Sequence, residues 1–271
     1  MAIKTKMQSL LPRREQYKKV ITLMSHGYSN PTAWPDGLLT VYPWDSEMDA
    51  YLLDASRHDN PTTVLFDLLE RCCNLNGGRV DDFVADEVNV VLLVSRALAS
   101  DNIITYQSRC PFCGTRRQEK VKVPDELEKV GEKSKDYTGT DLVTLPVSKE
   151  AVAITPLLVR HERLLAARTA EEKAQINDVE MRTMLAVVTI NDTKPDTAGE
   201  LARWLRALPP VDIRSLTEQQ RILSPHLNTL LPHTCENPIC RQEFSHLLTF
   251  DQDFFRPAKP TRQRGAVSLP V

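Results

Sequence analysis

At 271 residues the chain is long enough for one large domain or two smaller ones. Hydrophobic residues at 41% and charged residues at 26% exclude wholesale disorder, and 34 Lys+Arg against 36 Asp+Glu leave a formal charge of -2, which excludes a polyanion binder along its whole length. No apolar run approaches the ~20 residues that span a bilayer, and Met1 to Leu11 lacks the apolar stretch of a secretory signal, so an intracellular soluble protein is expected.

Residues 1–45 read as an extended N-terminal arm. Short apolar pieces alternate there with turn formers such as Ser29-Asn30-Pro31 and Trp34-Pro35-Asp36-Gly37, and a strand over 38–42 is closed by Pro43. Lys4, Lys6, Arg13, Arg14, Lys18 and Lys19 face only Glu15 in the first nineteen positions, a pattern expected of a solvated docking terminus rather than a nucleic-acid arm.

A helical domain is predicted over 46–100. Asp45 or Ser46 can cap a first helix carrying Met48, Tyr51, Leu52 and Ala55, and Asn60-Pro61 breaks it. The second helix, Thr62 to about Leu75, places Val64, Leu65, Leu68 and Leu69 on one face and stops at Gly77-Gly78. A third, with Asp81 or Asp82 as cap, carries Val84, Val88, Val91, Leu92 and Leu98. Cys72 and Cys73 close the second helix. Adjacent helical residues point about 100° apart, so these two are expected to pack rather than chelate.

The period then changes. Asn102 to Arg109 is β-branched and aromatic, runs into Cys110-Pro111-Phe112-Cys113-Gly114, and returns through Arg116 to Val123 as a second strand. Strand, Cys-x-x-Cys-Gly and strand make a zinc-knuckle hairpin over 101–124. A charged connection is expected over 125–156, with one strand at Leu142 to Val147. An inserted helical subdomain follows over 157–230. It carries Leu157, Leu158, His161, Leu164 and Leu165, then Met181, Met184, Leu185 and Val188. Next comes a helix capped near Asp196 or Thr197 with Leu201, Trp204, Leu205 and Leu208, stopped by Pro209-Pro210 before another from Asp212. His161, Trp204 and the methionines are expected to pack. A second hairpin is predicted over 231–257, built on Cys235-Glu236-Asn237-Pro238-Ile239-Cys240, with a flexible Pro/Arg tail over 258–271.

Stable disulfides are not expected in a reducing compartment, so close-spaced cysteines point to metal or redox chemistry. Zinc takes four tetrahedral ligands, and two strand-flanked knuckles supply them: Cys110, Cys113, Cys235 and Cys240 are the expected ligands of one structural Zn2+. The 121 residues between Cys113 and Cys235 fit a helical subdomain inserted between the hairpins of a zinc ribbon. The fold class expected is therefore α+β, mainly helical, with two β-hairpins forming the ribbon. A thioredoxin-like motif would open a helix after its second cysteine, whereas Gly114 to Val123 alternates like a strand. A catalytic zinc needs an open position; His233 and His246 lie nearby, but four thiolates close the shell, so no enzyme is expected. Walker, dinucleotide, His-Glu-x-x-His and Gly-x-Ser-x-Gly motifs are absent from the sequence.

The layout as a whole resembles the baseplate hub assembly protein family of T-even-type contractile-tailed phages. The resemblance rests on the order of several pieces: Leu11-Pro12-Arg13-Arg14, the helix start at Asp45 to Glu47, and Asn60-Pro61 before a helix ending in cysteine. It continues through Cys110-Pro111-Phe112-Cys113-Gly114, then Arg203-Trp204-Leu205-Arg206-Ala207-Leu208-Pro209, and the closing knuckle with Phe254-Phe255-Arg256-Pro257. The second knuckle departs in being Cys-x4-Cys. What the resemblance implies is a non-enzymatic structural or assembly component of a tail baseplate, partnered by other hub or wedge proteins. It would act in the host cytoplasm during assembly and reside in the virion tail. A zinc-ribbon nucleic-acid binder in phage transcription or replication, using Arg109, Arg116, Arg117, Lys120 and Lys122, is the alternative; nucleic acid, membrane and small-molecule partners are not the expectation.

Overall fold

The computed structural model of the chain describes residues 17–55, 61–99 and 103–248. Within them lie eight α-helices and several small antiparallel sheets, a mixed α+β architecture built on two hydrophobic cores. The expected tail over 258–271, together with Leu11 to Arg14 and Phe254 to Pro257, falls outside the described residues.

The first core gathers β1 (Lys19–Thr22), β2 (Leu38–Val41) and β3 (Cys73–Asn74), ordered β1-β2-β3, around α1 (Ser46–Ala55), α2 (Pro61–Cys72) and α3 (Glu87–Ala99). Asp45 caps α1: its Oδ1 accepts the backbone N–H of Glu47 and of Met48, each at 3.0 Å. Met48 and Leu52, one turn apart, are then fully buried. Helix α2 stops at Cys72 rather than Leu75, because Cys73 pairs with Val41 as β3. The expected cap at Asp81 or Asp82 is a 3-10 turn (Val80–Asp82), and α3 begins five residues later at Glu87. Helix α3 is buried on most of its circumference, from Val88 through Ala97, as befits a helix packed on every side.

Residues 19–45 correct the expectation of an extended arm. Trp34 and Leu39 are fully buried, Met24 is 1% exposed, and the Trp34 ring lies 4.4 Å from that of Phe83 between centroids. The turn formers serve compaction: a Cβ on Gly37 would stand 2.6 Å from the Cα of His26, so the loop closes on itself only with glycine there.

The chain next forms the ribbon β4 (Ile103–Arg109) and β5 (Arg116–Lys122), then β6 (Lys129–Val130). Strands β7 (Asp141–Thr144) and β8 (Ala151–Ile154) form a three-stranded sheet with β9 (Val187–Ile190) in the order β7-β8-β9. Around it pack α6 (Asp178–Ala186), α7 (Ala198–Ala207) and α8 (Pro210–Leu223), reached through α4 (Val159–Ala167) and α5 (Ala170–Gln175). Leu145, Val152, Leu205 and Leu216 are at the centre of this second core. Residues 125–156 are therefore more than a charged connection, and the β-branched run Val187-Val188-Thr189-Ile190 interrupts the expected helical block as a strand. Reciprocal capping boxes start α5 (Thr169 with Glu172) and α6 (Asn177 with Glu180), and Thr197 caps α7.

Helix α4 ties the two cores together. Arg163 pairs with Asp67 at 3.2 Å and Asp81 at 3.1 Å on the first, while Glu162 accepts a forked bond from Arg182 of α6 on the second. The two runs of chain that flank the second core, 128–131 and 224–228, meet at a neck. Strand β6 pairs with β10 (His226–Leu227), Asn228 N–H donates to Glu128 O at 2.7 Å, and Gly131 faces Ser224. A Cβ on Gly131 would meet Ser224 O at 2.7 Å, and its φ of +71° suits glycine. From this neck β11 (Leu230–Thr234) and β12 (Glu243–Leu247) form the second hairpin.

Candidate metal centre

Each hairpin presents two cysteines at its tip. In the first, Cys110 N–H donates to Thr115 O and Gly114 N–H to Cys110 O, both at 2.9 Å, with Gly114 at φ +75°. This tight turn aims both thiols to one side. The second tip has two more residues between its cysteines, and Asn237 absorbs them. Its Oδ1 accepts Ile239 N–H, and its carbonyl accepts the N–H of both Cys240 and Arg241, all at 3.0 Å. Arg241, at φ +45°, takes the left-handed position that Gly114 holds in the first tip, and Cys235 N–H closes the loop on Gln242 O at 3.0 Å.

The neck sets the two hairpins side by side, and their four sulfurs converge. Cys113 Sγ lies 3.4 Å from Cys235 Sγ, 122 positions away in sequence, and Cys110 Sγ lies 3.9 Å from Cys240 Sγ. All four ligand atoms fall within 4.8 Å of one another. A tetrahedron with metal–sulfur bonds of ~2.3 Å has edges of about 3.8 Å, so this spacing fits a four-thiolate metal site. Cys110, Cys113, Cys235 and Cys240 can hold a metal ion, and they are the one such cluster among the described residues.

Burial is uneven: Cys110 and Cys235 are buried, Cys240 is half-buried and Cys113 is exposed. Hydrogen bonds from the hydroxyl and backbone N–H of Thr115 favour the thiolate and hold Cys113 down at about 6, whereas burial pushes Cys235 up to about 12. Residues after Cys113 enter β5, not a helix, so the environment of a thioredoxin-type redox pair is absent here.

Behind the sulfurs a ring cluster joins the hairpins. Tyr106 on β4 stacks on His246 of β12 with centroids 5.1 Å apart, and its hydroxyl lies 3.0 Å from His233 Nε2 on β11. Phe244 packs on His233 at 5.6 Å, and Arg117 bridges Glu119 and Glu236, both at 3.0 Å. His233 and His246 thus belong to hairpin packing, not to the sulfur cluster. Sequence reading missed this layer, although the period-two placing of Phe244 and His246 was its signal.

Cys72 and Cys73 lie in the first core, both within sulfur hydrogen-bond reach of Leu69 O, at 3.5 and 3.0 Å. His161 Nδ1 accepts Leu158 N–H at the start of α4. Compared with known protein families, curated proteins and solved structures, the chain matches none.

Proposed function

We propose that Cys110, Cys113, Cys235 and Cys240 hold one structural zinc ion, that the two hairpins form a zinc ribbon around it, and that the chain is a non-enzymatic component or assembly factor of a contractile phage tail baseplate. The observation carrying the zinc reading is the four-sulfur cluster, whose spacing matches a closed tetrahedral shell. A shell of four thiolates leaves no coordination position for water or substrate, which supports a staple rather than a catalyst. When bound, zinc would neutralise thiolate charge and fix the two hairpins, contributing its binding energy to folding, roughly 10–16 kcal/mol in small zinc domains.

The baseplate reading is supported by the ordered sequence pieces from Leu11 to Pro257, ending in the Cys235 to Cys240 knuckle. Its partners would be other hub or wedge subunits, met in the host cytoplasm during assembly and retained in the tail. The test is complementation of a phage lacking this gene product. The intact chain should restore contractile tails, and Cys235→Ser should yield fewer completed baseplates. Full complementation by Cys235→Ser would refute the staple, and normal tails without the protein would refute the baseplate role.

A further inference from the structure

The β4–β5 ribbon has two chemically distinct faces. In the antiparallel register Thr105 pairs with Lys120, Gln107 with Gln118 and Arg109 with Arg116, while Ile103 pairs with Lys122 at the open end. Opposed residues share a face, so these eight side chains line one surface, and all eight are exposed. Tyr106, Ser108, Arg117, Glu119 and Val121 line the other, where Ser108 and Val121 are buried. The single carboxylate of the two strands, Glu119, is on that second face.

The outer face therefore carries four cations, two amides and one hydroxyl, without an acid. This departs from a chain in which 36 acids balance 34 bases. The fold has sorted the charges: Arg117 is taken up by Glu119 and Glu236 on the inner side. Lys122 reaches Asp125 in the following turn at 3.1 Å. Arg109, Arg116 and Lys120 meet no carboxylate among the described residues, and Arg109 rests against the Gly114 turn.

We infer that this face is a docking surface for B-form duplex DNA. The major groove is ~12 Å wide and admits a two-stranded β-ribbon. At about 3.4 Å per residue, Arg116 and Lys120 stand about 14 Å apart along β5, so the two basic ends reach the phosphates on either side of a groove. Gln107 and Gln118 are set between them, facing base edges, where glutamine can pair with adenine. The centre of a protein–protein interface is usually depleted of charge and enriched in apolar side chains, whereas this face has its one apolar residue, Ile103, at the far end. Duplex RNA has a major groove too deep and narrow for side chains.

The test uses the full-length, metal-loaded protein and a fluorescent DNA duplex of about 20 base pairs, titrated over a salt series. Three to four phosphates neutralised give a slope of log affinity against log salt of about -2.7 to -3.6. Between about 50 and 200 mM salt, that is a loss of roughly 40- to 150-fold. Lys120→Gln, and separately Arg116→Gln, should each flatten the slope by about 0.9, whereas Lys173→Gln on α5 leaves it unchanged. Circular dichroism and metal content confirm that each variant is folded. Absence of binding at about 50 mM salt, an unaltered slope in both variants, or equal affinity for single-stranded DNA, duplex RNA or polyglutamate overturns the assignment. Equal binding of polyglutamate identifies an acidic protein as the partner instead.

Discussion

Glu87, in the first turn of α3, is 1% exposed, and no basic side chain pairs with it among the described residues. Its Oε1 accepts the backbone N–H of Ser25 at 3.0 Å and its Oε2 accepts the Ser25 hydroxyl at 2.7 Å. Burial pushes the carboxyl from its ordinary 4.5 up to about 7, against the opposing pull of the two Ser25 bonds. A raised acid favours the protonated fold. Its stabilising contribution is complete below the unfolded value of 4.5 and is lost as pH rises through about 7. At ~1.4 kcal/mol per pH unit, the loss between pH 4 and 8 is about 3 kcal/mol. Glu87→Gln keeps the shape and an acceptor for Ser25 N–H but cannot ionise. Urea unfolding of both proteins, followed through Trp34 and Trp44 in the same core, should show the variant gaining about 3 kcal/mol on the wild type from pH 4 to pH 8. A stability difference that stays constant over that interval refutes the burial of a titrating carboxylate.

Gly131→Ala should cost at least about 1–3 kcal/mol, because the new Cβ meets Ser224 O in a left-handed backbone; thermal unfolding should show the loss, and Gly139→Ala, which meets the Tyr28 ring instead, gives a comparison outside the neck. Cys72→Ala and Cys73→Ala should each retain the full metal content and lose only about 1 kcal/mol, since both thiols are core packing. Metal loss in either variant would reassign the ligand set.

What the sequence makes legible is chiefly local chemistry. Asp45 announces its helix because a cap acts over three residues, and Cys110 to Gly114 announces its turn because Gly114 supplies the left-handed step. The four cysteines that the spacing singles out are the four that the fold brings together. What lay hidden depends on distant partners. Strands β6 and β10 are two residues each and exist only because they pair across the neck. Strand β11 contains Pro232, which weakens any local strand signal. Trp34 and Met24 are spaced too irregularly to reveal an element, and Ser25 meets Glu87 from 62 positions away. The sequence already groups Arg109, Arg116, Arg117, Lys120 and Lys122 around the first knuckle, but only the pairing register shows that Arg117 lies on the opposite face from the other four.

The most direct test of the zinc staple is metal analysis of the purified chain, paired with unfolding before and after chelation. One equivalent of zinc per chain is expected, falling toward zero in Cys235→Ser, with chelation freeing the two hairpins and lowering the unfolding temperature. A fully folded wild-type protein that contains no zinc, takes none up, and unfolds identically with and without chelator would contradict it.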